Sequence, residues 1–463
     1  VKSYKLYGDK GLMAIIVPFR AIRYNPKKIE DISSVVAPPY DIIDEEGQKF
    51  YYKRHENNII RLILGLDFPS DNEKENKYTR AANYLKTWQK EGILLRDPWP
   101  CFYLYHQEYR VKEGELKVRK GFIGLMRLEE FGSGIVYPHE DTFPKVKEDR
   151  FRLTLSTMAH FNPIFSLYYC PENKVNEFFY PVENREPEVT ILDENGVIHR
   201  LWCVKDEKII ANVRREMEGK QVFIADGHNR YETALRVRDY FKDRTPDYTG
   251  WESFNFVMMY FSNMNDKGLT ILPTHKLIFG IKDYDFSTFL NDLQGDFKIE
   301  IFPLIKGKEF ECKNAFFKAL SSRGAENNFT IGLFALGSDN FYLLKLKDPN
   351  ILDREFGKEI PSALKTLDVT ILHRLILEKR LGIGENELRE ASNVRYVRDE
   401  DVAVDMVKRG DAQLAFLVNP VHIDCIREVA LSYNRMPQKS TYFYPKLLSG
   451  LVINPISTDE DYF

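Results

Sequence analysis

Along the chain, short apolar runs of strand length alternate with stretches whose apolar residues return every three or four positions. The run Val222-Phe223-Ile224-Ala225 stops abruptly at Asp226-Gly227-His228-Asn229-Arg230, and Ala234 and Leu235 then lie on the apolar side of a helical pattern reaching about Phe241. The pattern predicts a short buried strand, a tight turn and a helix start. Residues 101 to 109 alternate as a strand, residues 111 to 120 read as a charged hairpin region turning at Gly114, and residues 121 to 128 return as a strand. Further strands are expected over residues 11 to 20, 58 to 64, 163 to 168 and 254 to 261, near Val189 and Ile198, and over 269 to 275. Helices are expected over residues 73 to 91, where Tyr78, Ala81, Ala82, Leu85 and Trp88 share a face, and over 151 to 160 and 209 to 217. From about residue 283 the pattern changes. Helices at 286 to 295 and 308 to 322 alternate with strands at 298 to 303, 329 to 335 and 341 to 346. Amphipathic helices at 368 to 377 and 400 to 410 and a buried strand at 412 to 418 follow.

The whole reads as a mixed α/β protein. The expected division is an N-terminal and central α/β region over 1 to 282, a peripheral α/β subdomain over 283 to 350, and a C-terminal segment over 351 to 463 that returns to the core. A chain of 463 residues exceeds one ordinary core, so two or three domains are expected. With 66 Lys and Arg against 69 Asp and Glu, the net charge of −3 argues against a dominant nucleic-acid surface, although a local basic cleft stays open. The five cysteines, Cys101, Cys170, Cys203, Cys312 and Cys425, are scattered without a C-x-x-C pair. That pattern points to reduced thiols and a cytoplasmic location. No apolar run reaches membrane-spanning length, so no membrane association is expected.

Chemistry concentrates at the turn after Val222. Gly227 allows a sharp bend or a close ligand approach. The amides of the following helix favour an anion, and Arg230 adds a cationic fork suited to phosphate oxygens. Asp226 offers a carboxylate for a metal ion or a hydroxyl proton, with His228 and Asn229 beside it. A plainer alternative stays open, in which Asp-Gly is an ordinary turn and Asp226 a helix cap. Ala37-Pro38-Pro39-Tyr40-Asp41 is stiffened by its prolines and would present Tyr40 and Asp41 as a rigid platform. His139, Glu140 and Asp141 form a second acidic and imidazole cluster, followed at helical spacing by Lys147 and Arg150. Lys439, Ser440, Thr441 and Lys446 supply donors and charge beside Tyr442, Phe443 and Tyr444 near the C-terminus. Neither a P-loop nor a G-x-G-x-x-G fingerprint occurs.

Ala225-Asp226-Gly227-His228-Asn229-Arg230-Tyr231-Glu232-Thr233-Ala234 resembles the ADGHHRYETA motif of domain-of-unknown-function family 1015, whose members are often labelled ParB-like or SpoOJ-like. Asn229 stands where that motif has its second histidine. Arg20, the Ala-Pro-Pro-Tyr-Asp run, the Pro-His-Glu-x-Thr and Lys-Glu-Asp-Arg run after Tyr137, the Leu269 to His275 run and the Lys-Ser-Thr-Tyr-Phe-Tyr-Pro-Lys run match further motifs of the family in order. The Asp-Gly-His-x-Arg core also resembles the phosphate-binding turn of the ParB/sulfiredoxin superfamily, which includes nucleotide switches, sulfiredoxins and free-serine kinases. The resemblance implies a ParB/sulfiredoxin-like core around residues 220 to 275, with ATP or ADP and Mg²⁺ as cofactors.

Together the residues and the resemblance imply a small-molecule kinase whose acceptor is a hydroxyl, free L-serine being the best single choice. Asp226 would hold Mg²⁺ or orient the hydroxyl, and Glu140 beside His139 would be the base, roles that could be exchanged. Gly227, His228, Asn229 and Arg230 would hold the phosphates, and Lys147, Arg150 and Lys439 would neutralise remaining charge. The expected partners are a nucleotide and a hydroxylated small molecule; a homodimer is compatible, and DNA is not the expected partner. Two alternatives are a ParB-like nucleotide switch or DNA-binding partition protein, and a non-catalytic nucleotide-binding scaffold.

Overall fold

The fold is that of a computed structural model, which describes residues 13–462 apart from 112–113, 143, 283, 326–328, 358–359, 366, 391 and 459. The first two residues of the expected opening strand, residues 112 and 113 of the charged hairpin and Phe143 therefore lie outside the described residues. By its internal contacts the chain forms two units. The first comprises the residues up to Pro138, Thr142–Thr270 and Pro445–Phe463; the second comprises His139–Asp141 and Ile271–Tyr444.

The first unit is built on one sheet of nine strands: β1 Ile16–Val17, β2 Phe102–Arg110, β3 Leu116–Arg127, β4 Val136–Tyr137, β5 Ile164–Tyr168, β6 Val189–Leu192, β7 Ile198–Val204, β8 Val222–Asp226 and β9 Phe256–Asn263. Their order is β4-β8-β5-β9-β3-β2-β7-β6, and β1 pairs with β3. Two pairs are parallel, β8 with β4 and β9 with β5. All of β9 is buried, which explains why it reads as a near-continuous apolar run, and the first six residues of β2 are buried although their sequence alternates. The central sheet residues Leu104, Phe122, Ile164, Ile224 and Phe261 share a core with the helical residues Val213, Met217, Tyr231, Ala234 and Leu235. The helices of this unit that bear on the site are α1 Lys77–Lys90, α2 Pro144–Thr157, α3 Glu207–Glu218 and α4 His228–Lys242. Helix α1 starts at a capping box between Asn76 and Thr79 and stops before Gly92, whose φ of 70° suits only glycine well.

Three local expectations are corrected. Residues 58 to 64 contain a short helix, Ile60–Ile63, not a strand. Asn58 decides this: its amide donates to the carbonyls of Ser34 (2.8 Å) and Val36 (3.1 Å), while its oxygen accepts from the Ile60 amide (2.9 Å). These local bonds replace a strand ladder. The hairpin turning near Gly114 is present, with Arg110 opposite Leu116, but its return strand β3 starts at Leu116 rather than at 121, and Arg119 within it is fully buried. The helix expected to continue to 160 from a charged start near Lys147 and Arg150 runs from Pro144 and ends at Thr157, because Met158 adopts a left-handed φ of 49°.

The second unit carries a six-stranded antiparallel sheet: β10 His275–Ile278, β11 Phe297–Pro303, β12 Thr330–Ala335, β13 Asn340–Leu346, β14 Val394–Val397 and β15 Leu414–Leu417. The order is β11-β13-β12-β15-β10-β14. Alternate strand residues feed two apolar clusters. Ile331, Leu333, Leu414 and Phe416 join one, and Phe334, Ala415 and Leu417 join the other with Phe316, Ala403 and Val407 from helices. Period-two alternation sends the two sets to opposite faces. The protein is thus a mixed α/β structure, and no helix among the described residues is long and apolar enough to cross a membrane.

Candidate active site

Strand β8 brings Asp226 to the sheet end through a register slip. Ile224 faces Ser166 on β5, but Asp226 faces Phe165, so Ala225 is an extra residue on its strand. Such a bulge turns the following side chain out of the regular alternation. Gly227 then adopts φ 99° at the N-cap position, and helix α4 begins at His228. A Cβ on Gly227 would lie 2.9 Å from Nη2 of Arg230, so the bare backbone here is what lets the arginine fold back over the turn.

Asp226 sits between two cations. Its Oδ1 is 3.1 Å from Nζ of Lys446 and its Oδ2 is 3.4 Å from Nη2 of Arg230. Arg230 also donates to the carbonyl of Pro163 at 2.7 Å and to the side-chain oxygen of Asn162. Asn162 in turn donates to Oγ of Ser449 at 3.1 Å, and Ser449 to the carbonyl of Pro38 at 3.3 Å. The stiff Pro38-Pro39 segment, the turn and the C-terminal segment are therefore linked by one chain of hydrogen bonds.

Beside the turn lies a cavity of about 60 Å³, lined among others by Tyr40, Arg150, His160, Asn162, Arg230 and Ser449. Two arginines named from the sequence, Arg150 and Arg230, thus share a cavity, and the Tyr40 platform reaches the same place. The Arg150 guanidinium lies 4.0 Å from the centre of the Tyr40 ring and donates to the carbonyl of Ile63 at 2.7 Å. It also pairs with Asp149, which accepts from the Tyr78 hydroxyl at 2.8 Å. Burial alone would raise the Asp149 carboxyl, but Arg150 and its hydrogen bonds prevail and hold it below the usual range. Burial pushes the Tyr40 phenol up, aided by the Asp41 charge, so Tyr40 is a neutral hydroxyl at physiological pH. Burial also lowers His160 to about 4, leaving a neutral ring whose Nδ1 is 3.1 Å from the Asn454 amide nitrogen.

Lys446 owes its place to a clamp of buried side chains. Arg119 donates to the carbonyl of Pro445 at 2.5 Å, Gln107 donates to the carbonyl of Lys446 at 2.8 Å, and the Tyr105 hydroxyl accepts from the Leu448 amide at 3.4 Å. Arg119 is pressed over the Phe165 ring at 4.4 Å and bonds Gln107 directly. Tyr105 is held by His199 at 2.7 Å, and His199 by Asp193 at 3.1 Å. These groups position the strap carrying Lys446. Their sequence signal was faint, since Gln107 and Arg119 sit in stretches of ordinary polar alternation.

The other residues named from the sequence are placed as follows. His228 is buried at the first position of α4, and Asn229 follows it. Lys147 on α2 pairs with Glu232 on α4 at 2.6 Å, and Glu232 also accepts from Thr142 at 2.9 Å. His139 and Glu140 belong to the second unit, as does Lys439, which adopts a left-handed φ of 57°. There Glu140 accepts from the amide and the hydroxyl of Thr441 at 2.9 and 2.8 Å, and the same hydroxyl lies 2.9 Å from Nε2 of His139. The central turn and the His-Glu pair therefore fall in different units. Among the described residues no group of three or more His, Cys, Asp or Glu side chains is placed to hold a metal ion.

The chain belongs to the family described as protein of unknown function (DUF1015), whose profile matches residues 16–370. No match is found among curated proteins. Among solved structures, a free serine kinase in complex with AMP has 10% identity and a TM-score of 0.34, covering 71% of this chain and 90% of its own. A conserved hypothetical protein from Pyrococcus furiosus has 11% identity and a TM-score of 0.32, over 67% and 90%. SbnI from Staphylococcus aureus, truncated at its C-terminus, has 11% identity and a TM-score of 0.34, over 73% and 90%. Likenesses at this level do not bear on activity.

Proposed function

We propose that this member of the family is a nucleotide-dependent small-molecule kinase whose phosphate-binding turn is Asp226–Arg230. The observation that carries the reading is the gathering of Asp226, Lys446 and Arg230 at a glycine-bent helix start, beside a cavity that Arg150 and Arg230 both line. Phosphoryl transfer asks a protein for positioning and charge neutralisation more than for covalent chemistry, and these groups supply both. The turn's resemblance to the ParB/sulfiredoxin phosphate turn points the same way and extends the reading to a ParB/sulfiredoxin-like core.

In this reading the terminal phosphate of ATP, or of ADP, lies against the α4 start, where helix amides and the two cations offset its charge. A hydroxyl oxygen of the acceptor attacks the terminal phosphorus, the bond from that phosphorus to the leaving nucleotide oxygen breaks, and the hydroxyl proton passes to a carboxylate. The base assigned from the sequence is Glu140, with His139 beside it, and Asp226 holds Mg²⁺ or orients the hydroxyl; if the two roles are exchanged, Asp226 is the base. His228 and Arg230 steady the phosphate, and Lys147 and Arg150 offset charge around it; Lys439 keeps its charge-neutralising role only as a sequence assignment. Asp226 is the turn's carboxylate that would hold Mg²⁺, which would supply charge neutralisation there. Free L-serine is the acceptor assigned by superfamily resemblance.

Calorimetry with ATP and ADP tests the turn. Losing an arginine bonded to phosphate removes about 1.5–3 kcal/mol, so Arg230→Ala should bind nucleotide roughly ten- to a hundredfold more weakly. Equal binding by the variant and the wild-type protein removes the assignment. Gel shifts at two salt concentrations separate the reading from a partition-type switch, which would bind DNA with a steep salt dependence.

A further inference from the structure

The second unit contains a cavity of about 140 Å³ with features that packing alone does not require. Thr370 and His373 line it, only 4% and 7% exposed, and neither the threonine Oγ1 nor the histidine Nε2 has a hydrogen-bond partner. Buried polar atoms are almost always paired, so two orphans enclosed within one cavity wall are unusual, although neither atom is itself open to the cavity. The helix wall is also unusual. Residues Leu372–Glu378 form a wide π-helical turn, and His373, Arg374 and Glu378 from it line the cavity together. Widened turns of this kind are rare and concentrate at functional sites.

We propose that this cavity binds a small free amino acid with an apolar side chain, as a zwitterion. Charges of both signs line it. Arg374 pairs with Glu378 at 2.9 Å, and Arg435 with Asp141 at 3.7 Å. Two arginines suit a carboxylate and two acids suit an ammonium. Burial, with Lys276 and Arg374 near, holds His373 neutral, so the charged lining sums to zero and a zwitterion enters without unbalancing it. The rest of the wall is apolar, with Ile360, Leu364, Ile383 and Leu388. An apolar cavity of about 150 Å³ takes up benzene, which limits the ligand to roughly the size of alanine or valine. The inference does not rest on the nucleotide turn, which lies in the other unit.

The test is calorimetry of the full-length chain with L-alanine, L-valine, 3-methylbutanoate, which lacks the ammonium, and 2-methylpropylamine, which lacks the carboxylate. At least one amino acid should bind at least about tenfold more tightly than either truncated analogue. Arg374→Gln and Arg435→Gln should each weaken it about tenfold, while Arg230→Ala leaves it unchanged. Both cavity arginines are partly exposed, so neither variant threatens the fold. Absence of binding by both amino acids, equal affinity for the truncated analogues, wild-type affinity in Arg435→Gln, or loss of binding in Arg230→Ala would each overturn the proposal.

Discussion

Replacing Gly227 by alanine isolates the backbone contribution to the site. At φ 99° an L-residue is strained, by about 1–2 kcal/mol where left-handed geometry is forced on it. The added Cβ would also meet Arg230 at 2.9 Å from Nη2 and 3.0 Å from Cζ. The guanidinium is the far end of a flexible side chain, so it gives way rather than the helix. In moving it disturbs bonds to Asn162 and Pro163, and one lost hydrogen bond to a charged group costs about 1.5–3 kcal/mol. With partial rehydration the sum is about 2–4 kcal/mol. Gly219 is the matched control, because its φ is −89° and nothing lies within 4 Å of its added Cβ. Gly219→Ala should be neutral or stabilise by up to about 1 kcal/mol. All four tryptophans, Trp88, Trp99, Trp202 and Trp251, belong to the first unit, so tryptophan fluorescence in urea reports its unfolding selectively. For a slope near 2 kcal/mol per molar urea, Gly227→Ala should lower the midpoint by roughly 1–2 M. Equal midpoints for the two variants would refute the reasoning.

Two other perturbations probe the clamp and the second unit. Arg119→Met keeps a long side chain against Phe165 but removes the bonds to Gln107 and Pro445, so amide hydrogen exchange at Leu448 and Ser449 should accelerate; unchanged exchange would show that the strap is held otherwise. Lys276 is buried, and burial lowers its amine from 10.5 to about 8. Between those values the unfolded chain holds a proton that the folded chain has released, so stability rises with pH across that window and is lowest below it. Lys276→Met should raise the melting temperature at pH 7 and flatten the rise above pH 8; a variant less stable at pH 7 than the wild-type protein would contradict this.

How much of this was legible in the sequence depended on whether the deciding interactions were local. The β8 run, the Asp226-Gly227 turn and the apolar side of α4 were readable because strand, turn and helix signals follow one another within a few residues. The helix at Ile60–Ile63 was missed because its apolar run is too short for periodicity to separate helix from strand, and the bonds of Asn58 settle it. Lys446 was visible as a charge in a motif, but not as the partner of Asp226. That pairing depends on Pro445–Phe463 joining the first unit, and on Arg119 and Gln107 holding the strap over more than three hundred residues of separation. No periodicity encodes such a contact. The burial of Arg119 was equally hidden, since Lys117, Arg119 and Lys120 look like a solvated face and only the position of β3 between β9 and β2 encloses the middle one.

The central claim is that phosphate is transferred to a hydroxyl at the Asp226 turn. Its most direct test is to incubate the purified protein with ATP or ADP, Mg²⁺ and separately serine, threonine, homoserine and common polyols, and to look for a phosphorylated product by mass spectrometry. The account predicts one product, with L-serine the foremost acceptor, formed without DNA and lost when Asp226→Asn and Glu140→Gln are combined. No phosphorylated acceptor from either nucleotide would contradict the kinase assignment, and wild-type product formation by the double variant would contradict the site.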